Sequence, residues 1–388
     1  MKHVGIICEY NPFHGGHAHL LRSVREAQTV ICLMSGNFTQ RGEAAILPPR
    51  SRAAMALAAG ADLVLELPFP YAAGSARYFA SAGVRALQAL GADTLAFGSE
   101  SADLDALLAA AKCTMEQEFD EKLANGARDR GSAALYFDAL GDDRVPPNDI
   151  LATEYARAVL DGGERMALHP VLRLGAGYHD AKITDAYPSA TALRAKLREG
   201  EDITELLPCE VREIWQAEAR HWGIAETERL GTSLLACLRA MNTAALAFDE
   251  KKEIADCGGG LLERLIHAAA IATDYQTLCR AAATKKYTDG RIRRALLYLL
   301  SGVTREDLLA PPSYLRLLAA NERGRAFLAK TRKTRTVPVV TKPCDIAQLG
   351  ESAARARRLA AISDGLYALC LPKAVTPAAL MTEPPLMV

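Results

Sequence analysis

Three histidines, His14, His17 and His19, lie in the segment NPFHGGHAHL, directly after the apolar run Val4 to Cys8. Such a run predicts a buried strand, and the glycine pair between the first two histidines permits a tight turn into a helix. The first N–H groups of a helix have no partner inside it and attract anions such as phosphate. Because His14 and His17 are three residues apart, both rings can share one helix face and donate hydrogen bonds to phosphate oxygens. The segment therefore predicts a phosphate-binding turn.

Two other interpretations of the histidines stay open on the residues alone. One is an ordinary helix start with surface histidines. The other is a zinc site, but neither an H-E-x-x-H spacing nor a cysteine partner accompanies the histidines, so no metal ligand is predicted. The sequence also lacks the usual glycine-rich phosphate motifs, since Gly175-Ala176-Gly177 has no third glycine in the required place.

A second polar segment, SATALR, combines helix-starting residues with a cation. Ser189 and Thr191 favour the beginning of a helix, and Arg194 follows where its guanidinium could contact the β- and γ-phosphates of a nucleotide. The alternative interpretation is a helix cap without any ligand.

The elements that would position both segments follow an α/β pattern. Apolar runs alternate with alanine-rich stretches, which is typical of a parallel sheet with crossover helices. Strands are predicted at Val4 to Cys8, Thr29 to Met34, Leu63 to Leu67, Thr94 to Phe97 and Met166 to Leu172, and helices at Ser51 to Ala59, Arg77 to Leu90 and Thr191 to Glu199. In a doubly wound sheet of this kind, ligands bind beyond the carboxyl ends of the strands, where the histidines lie.

The second half of the chain is predicted to be mostly α-helical. Helices are expected at Glu205 to Ala219, Gly231 to Asn242, Leu261 to Ala283 and Arg291 to Leu300, followed by a loose tail from Pro372. We therefore expect a catalytic domain over residues 1–204 and a helical domain over residues 205–388.

Composition excludes several classes of protein. Basic and acidic residues both number 46 in 388, so the net charge of zero argues against binding nucleic acid through total charge. The nine cysteines form no C-x-x-C pair, which argues against a disulfide framework or a cysteine zinc site. Apolar stretches are short and soon meet charged residues, so we expect a cytoplasmic protein without a membrane segment.

The sequence His14-Gly15-Gly16-His17 matches the H-x-G-H signature of the nucleotidyltransferase superfamily. More specifically, GIICEYNPFHGGHAH resembles the tRNA(Met) cytidine acetate ligase family. Further blocks resemble that family in the same order: MSGNFTQRGE, GADLVLELP, FGSE, PNDILATEYARA, GAGYHD, SATALR and KKYTDGRIRR. The resemblance implies a Rossmann-like nucleotidyltransferase domain followed by a helical C-terminal domain that binds tRNA.

The resemblance also implies an activity. The enzyme would join acetate to ATP as acetyl-adenylate, release pyrophosphate and acetylate the wobble cytidine of elongator tRNA(Met). Mg²⁺ is expected only as the companion of the triphosphate. His14 and His17 would be catalytic, as hydrogen-bond donors to the phosphates.

The implied ATP contacts form one continuous segment and several single positions: Ile7, Cys8, Glu9, Tyr10, Asn11, Pro12, Phe13, His14, Gly15, Gly16, His17, Ala18, His19, Leu20, Gly98, Asn148, Arg173, Ser189, Thr191 and Arg194. Gly98 would let adenine or ribose approach, Asn148 would offer its amide, and Arg173 would offer a guanidinium to phosphate. Gln40 and Arg41 are expected at the mouth of the site, near the substrate.

Two positions depart from the family pattern. Pro48-Pro49 and then Arg50 stand where the family has a lysine before an arginine matching Arg52, so a phosphate or substrate contact could be lost or transferred to Arg50. Arg77 stands where the family has a glutamate.

Two stretches of the helical half are rich in basic residues, residues 280–294 and 316–335. For the first we expect tRNA contacts from Lys285, Lys286, Tyr287, Arg291 and Arg294, with cations on phosphates and the aromatic ring stacked on an unpaired base. Solvated helix faces are the alternative.

Two other function classes are weighed against the ligase. An adenylyltransferase that makes a dinucleotide or coenzyme precursor would not need the basic stretches, and a non-catalytic nucleotide- or RNA-binding protein would not need both histidines. A class I aminoacyl-tRNA synthetase is disfavoured because the helical half contains no K-M-S-K-S-like loop.

Overall fold

The structure is a computed structural model that describes residues 1–125, 132–140, 146, 149–163, 165–173, 188–243 and 254–388. The N-terminal part contains β1 (His3–Cys8), α1 (Gly15–Ser23), β2 (Thr29–Ser35), α2 (Pro49–Ala58), β3 (Leu63–Leu67), α3 (Ala76–Leu90), β4 (Thr94–Ser99), α4 (Leu104–Cys113), α5 (Gln117–Asn125), α6 (Ser132–Leu140), α7 (Ile150–Asp161), β5 (Ala167–Leu172) and α8 (Ala190–Arg198). All five predicted strands and the three predicted helices of this part are confirmed, with ends shifted by one or two residues.

The C-terminal part contains α9 (Cys209–Trp222), α10 (Gly231–Thr243), α11 (Leu261–Ile271), α12 (Tyr275–Ala282), α13 (Asp289–Ser301), α14 (Arg305–Leu309), β6 (Leu315–Ala320), α15 (Glu322–Thr331), β7 (Val339–Val340), α16 (Glu351–Cys370), α17 (Pro377–Met381) and β8 (Leu386–Met387). Instead of the single helix expected over Leu261 to Ala283, the chain forms two helices, α11 and α12. The first ends at Ile271, and Asp274 begins the second, because its carboxylate caps α12 by accepting from the N–H of Thr277 at 2.8 Å.

Strands from both halves of the chain form one sheet in the order β5-β4-β1-β2-β3-β6-β7, with β8 paired to β6. The first five strands are parallel, which confirms the α/β fold class. Strand β1 lies between β2 and β4, so the order of strands reverses beside its carboxyl end. Parallel sheets bind ligands at such a switch point.

The strand β6, in the half predicted to be helical, was not expected and pairs antiparallel with β3. Alternate residues of β1 enter two different cores, with Ile6 on one face of the sheet and Ile7 on the other. The first core continues through α1 and α2 into the helices that follow residue 205. Residues on both sides of the expected boundary share a sheet and a core, and the division into two domains stays a prediction.

The expectation of a loose tail from Pro372 is wrong. Strand β8 pairs with β6, and Arg325 donates a hydrogen bond to the carbonyl oxygen of Val388 at 2.9 Å. The prolines break the segment into short pieces, and pairing at the sheet edge orders its end. Among the described residues, no helix is both long enough and apolar enough to cross a membrane.

Candidate active site

The loop that leaves β1 is built on a buried aromatic cluster. Tyr10 adopts a φ of 50°, which is uncommon for a residue with a side chain and turns the backbone sharply after the strand. Its ring lies 4.9 Å from that of Phe13 and 4.9 Å from that of His17. Tyr10 and Phe13 are almost completely buried, so they fix the loop from below and support the imidazole of His17.

The two catalytic candidates begin helix α1 and bind its N-terminus reciprocally. Nδ1 of His14 accepts from the N–H of Gly16 at 3.0 Å, and Nδ1 of His17 accepts from the N–H of His14 at 3.3 Å. A neutral imidazole that accepts at Nδ1 carries its proton on Nε2. Both rings therefore hold an N–H donor at the atom that is not engaged with the backbone. The ring centroids are only 3.8 Å apart, so the two donors can serve one ligand.

The surroundings keep both rings neutral. Burial, followed by the charges of Arg173 and Arg194, lowers the pKa of His14 to about 4. Burial and the neighbouring His14 and Arg173 also lower the pKa of His17 well below its ordinary value. The sequence did not predict this state, because it depends on side chains distant in the chain. At neutral pH the pair offers hydrogen bonds without carrying charge.

His19 is not brought together with the other two histidines, and its expected contact with ATP stays a prediction. His19 lies two residues after His17, on another side of α1, and has no ring contact with the other two histidines. Within the described part of the chain, no group of three or more His, Cys, Asp or Glu side chains is arranged to hold a metal ion. Within the predicted segment Ile7 to Leu20, Ile7 and Ala18 are buried in the cores.

Gly98 and Arg173 meet at the carboxyl ends of β4 and β5. A Cβ at Gly98 would lie 3.1 Å from Nε of Arg173, so the missing side chain makes room for the guanidinium. The expected access of adenine or ribose over Gly98 thus competes with Arg173 in this conformation. The N–H of Arg173 also donates to the carbonyl oxygen of Ser99 at 2.9 Å, which continues the strand pairing. Arg173 is close enough for its charge to lower the pKa of both His14 and His17.

The second polar segment is brought to the first, as predicted. Ser189 caps α8 by accepting from the N–H of Ala192 at 3.2 Å. Arg194 is 8% exposed, and it donates to the carbonyl oxygen of Asn11 at 2.7 Å and to the hydroxyl of Thr191 at 3.2 Å. Its Nε atom is buried without a hydrogen-bond partner among the described residues. The helix after β5 therefore holds the histidine loop directly.

Glu43, which the sequence did not single out, connects three parts of the protein. Its carboxylate lies 4.0 Å from Nε of Arg194 and 3.9 Å from a guanidinium nitrogen of Arg198, and it accepts a hydrogen bond from Arg293 of α13. Although burial alone would raise it, the pKa of Glu43 is lowered by that hydrogen bond and by the surrounding guanidinium charges. No sequence signal could identify these long-range pairs.

The expected substrate residues Gln40 and Arg41 lie in the loop after β2, beside Glu9. The N–H of Gln40 donates to a carboxylate oxygen of Glu9 at 2.7 Å, and burial raises the pKa of Glu9. Arg41 is exposed. Gly42 has a φ of 70° and leaves no room for a Cβ against the backbone of Arg293, so this loop packs closely on the start of α13.

Asn148 lies outside the described residues. Its neighbour Asp149, which the sequence did not identify, is fully buried and accepts from Ser99, Glu100 and Ser101 at 2.7 to 3.3 Å. Asp149 therefore fixes the turn at the end of β4 and places the start of helix α7 beside that turn.

The departures from the family pattern have structural explanations. Arg52 is fully buried and binds the carbonyl oxygens of Leu47, Glu9 and Gly36, which joins the loops after β1 and β2. Arg50 instead donates to the carbonyl oxygen of Pro384 at 3.0 Å, so its guanidinium is engaged with the C-terminal segment. Arg77 lies 3.9 Å from the buried carboxylate of Glu154.

The first basic stretch differs from its expected role. Tyr287 is 7% exposed and donates to the carbonyl oxygen of Gly259, so its ring is not an exposed platform for a base. Lys286 donates to the same carbonyl at 2.8 Å, and Arg291 donates to that of Gly258 at 2.8 Å. Arg294 pairs with Asp256 at 2.6 Å. The expected stacking of the Tyr287 ring on an unpaired base is wrong, because the ring is buried and its hydroxyl is bonded to the segment at residues 256–260.

Comparisons with known proteins give consistent results. The family HIGH Nucleotidyl Transferase matches residues 1–379. A protein of Syntrophotalea carbinolica named tRNA(Met) cytidine acetate ligase is 40% identical over 88% of this chain and 85% of its own. A Bacillus subtilis protein of the same name is 31% identical over 88% and 87%.

Solved structures agree with these relatives. The crystal structure of apo Thermotoga maritima TmcAL (form I) has a TM-score of 0.88 and 28% identity, with 100% of both chains covered. The structure of that protein bound with alpha-thio ATP (form II) has a TM-score of 0.86, the same identity and the same coverage.

Proposed function

We infer that this chain, which belongs to the family of HIGH nucleotidyl transferases and within it to the tRNA(Met) cytidine acetate ligases, is an ATP-dependent ligase. In the first step, an oxygen of acetate attacks the α-phosphorus of ATP, the bond to the β-phosphate oxygen breaks, and pyrophosphate leaves. In the second step, the exocyclic amine of the wobble cytidine of elongator tRNA(Met) attacks the acetyl carbon. AMP leaves and the amine loses a proton.

The observation that carries this proposal is the pair of neutral imidazoles at the start of α1, each of which accepts at Nδ1 and therefore holds its N–H donor at Nε2. The first step concentrates negative charge on the non-bridging oxygens and on the departing pyrophosphate. Fixed donors that already point to such charge lower the barrier, because they need no reorganisation during the reaction. The positive end of the α1 dipole acts in the same direction.

Arg173 and Arg194 supply the positive charge that the neutral histidines lack. We place Arg194 near the β- and γ-phosphates, because it holds the histidine loop through the carbonyl oxygen of Asn11 and its charge lies close enough to lower the pKa of His14. Mg²⁺ would enter with the triphosphate as its counter-ion and add further charge neutralisation. Hard oxygen ligands for it would come from the nucleotide itself.

The tRNA would contact cations that are not used to hold the fold. Exposed Lys285 and the exposed group Lys330, Arg332 and Lys333 at the end of α15 meet this condition better than Arg291 and Arg294. We place the reaction in the cytoplasm, where tRNA is used.

The test is exchange of labelled pyrophosphate into ATP by the purified protein, with and without acetate. We expect exchange only when acetate is present, and transfer of labelled acetyl to tRNA(Met) afterwards. Exchange that needs a nucleotide or phosphopantetheine instead of acetate would overturn the proposal in favour of an adenylyltransferase. Exchange without transfer to tRNA would overturn the second step alone.

A further inference from the structure

A second cavity lies at the carboxyl end of β3, on the same rim of the sheet as the histidines but two strands away. The space between its lining residues is about 580 Å³, a figure that includes the open solvent at its mouth. Strand β6, strand β7 and helix α16 surround it. None of the residues assigned above to ATP or acetate lines it.

The floor of this cavity contains two carboxyl groups. Glu66 of β3 is 13% exposed at its side chain and lies 3.7 Å from Arg316. Asp364 of α16 is 7% exposed and accepts from the side-chain amide of Asn37 at 2.6 Å. Burial raises the pKa of both groups, and for Asp364 burial and the nearby Glu66 raise it to about 7. Two carboxyl groups whose pKa values are raised by burial can accept hydrogen bonds from a ligand, and either can donate one when it is protonated.

The walls and the rim have different chemistry. Phe69, Tyr314 and Ile346 form largely buried apolar walls that suit a flat ring. Lys342 and Arg357 stand exposed at the rim, where cations suit phosphate. The three parts of the cavity match the three parts of a nucleotide. The cationic rim suits the phosphate, the apolar walls suit the faces of the base, and the floor can form hydrogen bonds with the edge of the base.

We propose that the second cavity binds one unpaired nucleotide of the tRNA, with an exocyclic amine of its base on Glu66 and Asp364 and its phosphate at Lys342 and Arg357. A carboxylate accepts a hydrogen bond from an exocyclic amine of a base, as it does from that of cytosine in nucleic-acid complexes. Recognition of an unpaired base inside a protein pocket is the common way to read RNA sequence. This inference rests on the proposed function and adds how the tRNA is selected.

The distance to the histidines limits which nucleotide it is. Two strand spacings separate β1 from β3, about 10 Å. Arg52 connects the two sites, since it binds the carbonyl oxygens of Glu9 and of Gly36, and Gly36 lies against the carboxylate of Glu66. The amine of the target cytidine must reach the acetyl carbon, so it cannot also be held in a cavity about 10 Å away. The adenosine that follows this cytidine in the anticodon CAU carries an exocyclic amine too, and as the adjacent nucleotide it can lie at this distance, so the cavity is assigned to the adenosine.

The first experiment uses the conservative variants Glu66→Gln and Asp364→Asn, and the rim variant Lys342→Ala/Arg357→Ala, whose exposed side chains can be removed without disturbing the core. Arg25→Ala, an exposed cation far from the cavity, is the matched control. We expect acetate-dependent pyrophosphate exchange to stay at the wild-type rate in all of them. The kcat/KM for acetylation of an anticodon stem-loop should fall roughly tenfold or more in the cavity variants only. Unchanged kcat/KM in the cavity variants would overturn the proposal, whereas absent exchange in the wild type would overturn the proposed function instead.

The second experiment identifies the base. Binding of stem-loops without ATP is measured for wild type and Asp364→Asn, with the target cytosine replaced by 2-pyrimidinone or the following adenine replaced by purine, each of which lacks the amine. Loss of the amine should weaken binding to the wild type. In Asp364→Asn the same loss should have little further effect, because the free-energy effects of removing two groups that contact each other do not add. Non-additivity at the adenosine would support the proposal, whereas non-additivity at the target cytosine alone would contradict it. Full additivity at both positions would contradict the proposal.

Discussion

Nδ1 of His17 accepts a hydrogen bond from the backbone N–H of His14 at 3.3 Å, while Nδ1 of His14 accepts from the N–H of Gly16. Each histidine thus uses one ring nitrogen to build the helix start and keeps the other as a donor. The same side chain has a structural and a chemical task, and suitable substitutions can separate them.

His14→Asn and His14→Ala separate these tasks. Asparagine is among the best residues at a helix N-terminus, so it preserves an acceptor for Gly16, while alanine removes it. We expect both variants to lose about 10²-fold or more in acetate-dependent exchange, since both lose the Nε2 donor. Only His14→Ala should also lose about 1 kcal/mol of unfolding free energy in urea titrations. A His14→Asn enzyme with wild-type exchange would remove the ring from catalysis.

The lowered pKa of His14 predicts a specific pH dependence of stability. Between pH 6.5 and pH 4 the unfolded chain binds a proton at this ring that the folded chain does not, so the folded state loses stability as the pH falls. The contribution is at most about 3 kcal/mol. Comparison of wild type and His14→Asn by urea unfolding at several pH values isolates it. Above pH 6.5 the difference should be constant, and a curve parallel to wild type down to pH 4 would show that the ring titrates normally.

The contacts of Glu43 predict that it couples the histidine loop to helix α13. Glu43→Gln removes the partner of three guanidinium groups, and breaking a buried pair of this kind costs about 3 kcal/mol. We expect lower thermal stability and a higher KM for ATP, because Arg194 loses a constraint. In the double variant with Arg293→Gln, the two losses should be far from additive. Additive losses would show that the two residues act independently.

The exposed cations of α15 predict the salt dependence of tRNA binding. Changing Lys330, Arg332 and Lys333 to alanine should weaken binding and reduce the slope of log K against log salt concentration by about 2 to 3. Lys286→Ala/Arg291→Ala is the comparison, and it should mainly lower thermal stability because those side chains bind backbone carbonyls. An unchanged slope in the triple variant would place the tRNA elsewhere.

The sequence was sufficient to predict those features of the fold that depend on residues close together in the chain. The strand ends, the helix start at His14 and the cap at Ser189 depend on neighbouring residues, and the structure agrees with each of them. Strand β6 was missed because LRLLAA also suits a helix, and only its pairing with β3 decides. Three features depend on residues distant in the chain: the ion pairs of Glu43, the hydrogen bonds that Asp149 accepts at the end of β4, and the burial of Tyr287. The positions of such residues were not predictable from spacing.

A crystal structure with a non-hydrolysable ATP analogue would show directly whether the two histidines bind the phosphates. We expect phosphate oxygens within hydrogen-bond distance, about 2.7–3.2 Å, of Nε2 of both His14 and His17. A nucleotide bound elsewhere on the sheet, or one whose phosphates leave both Nε2 atoms in contact with solvent only, would contradict this expectation.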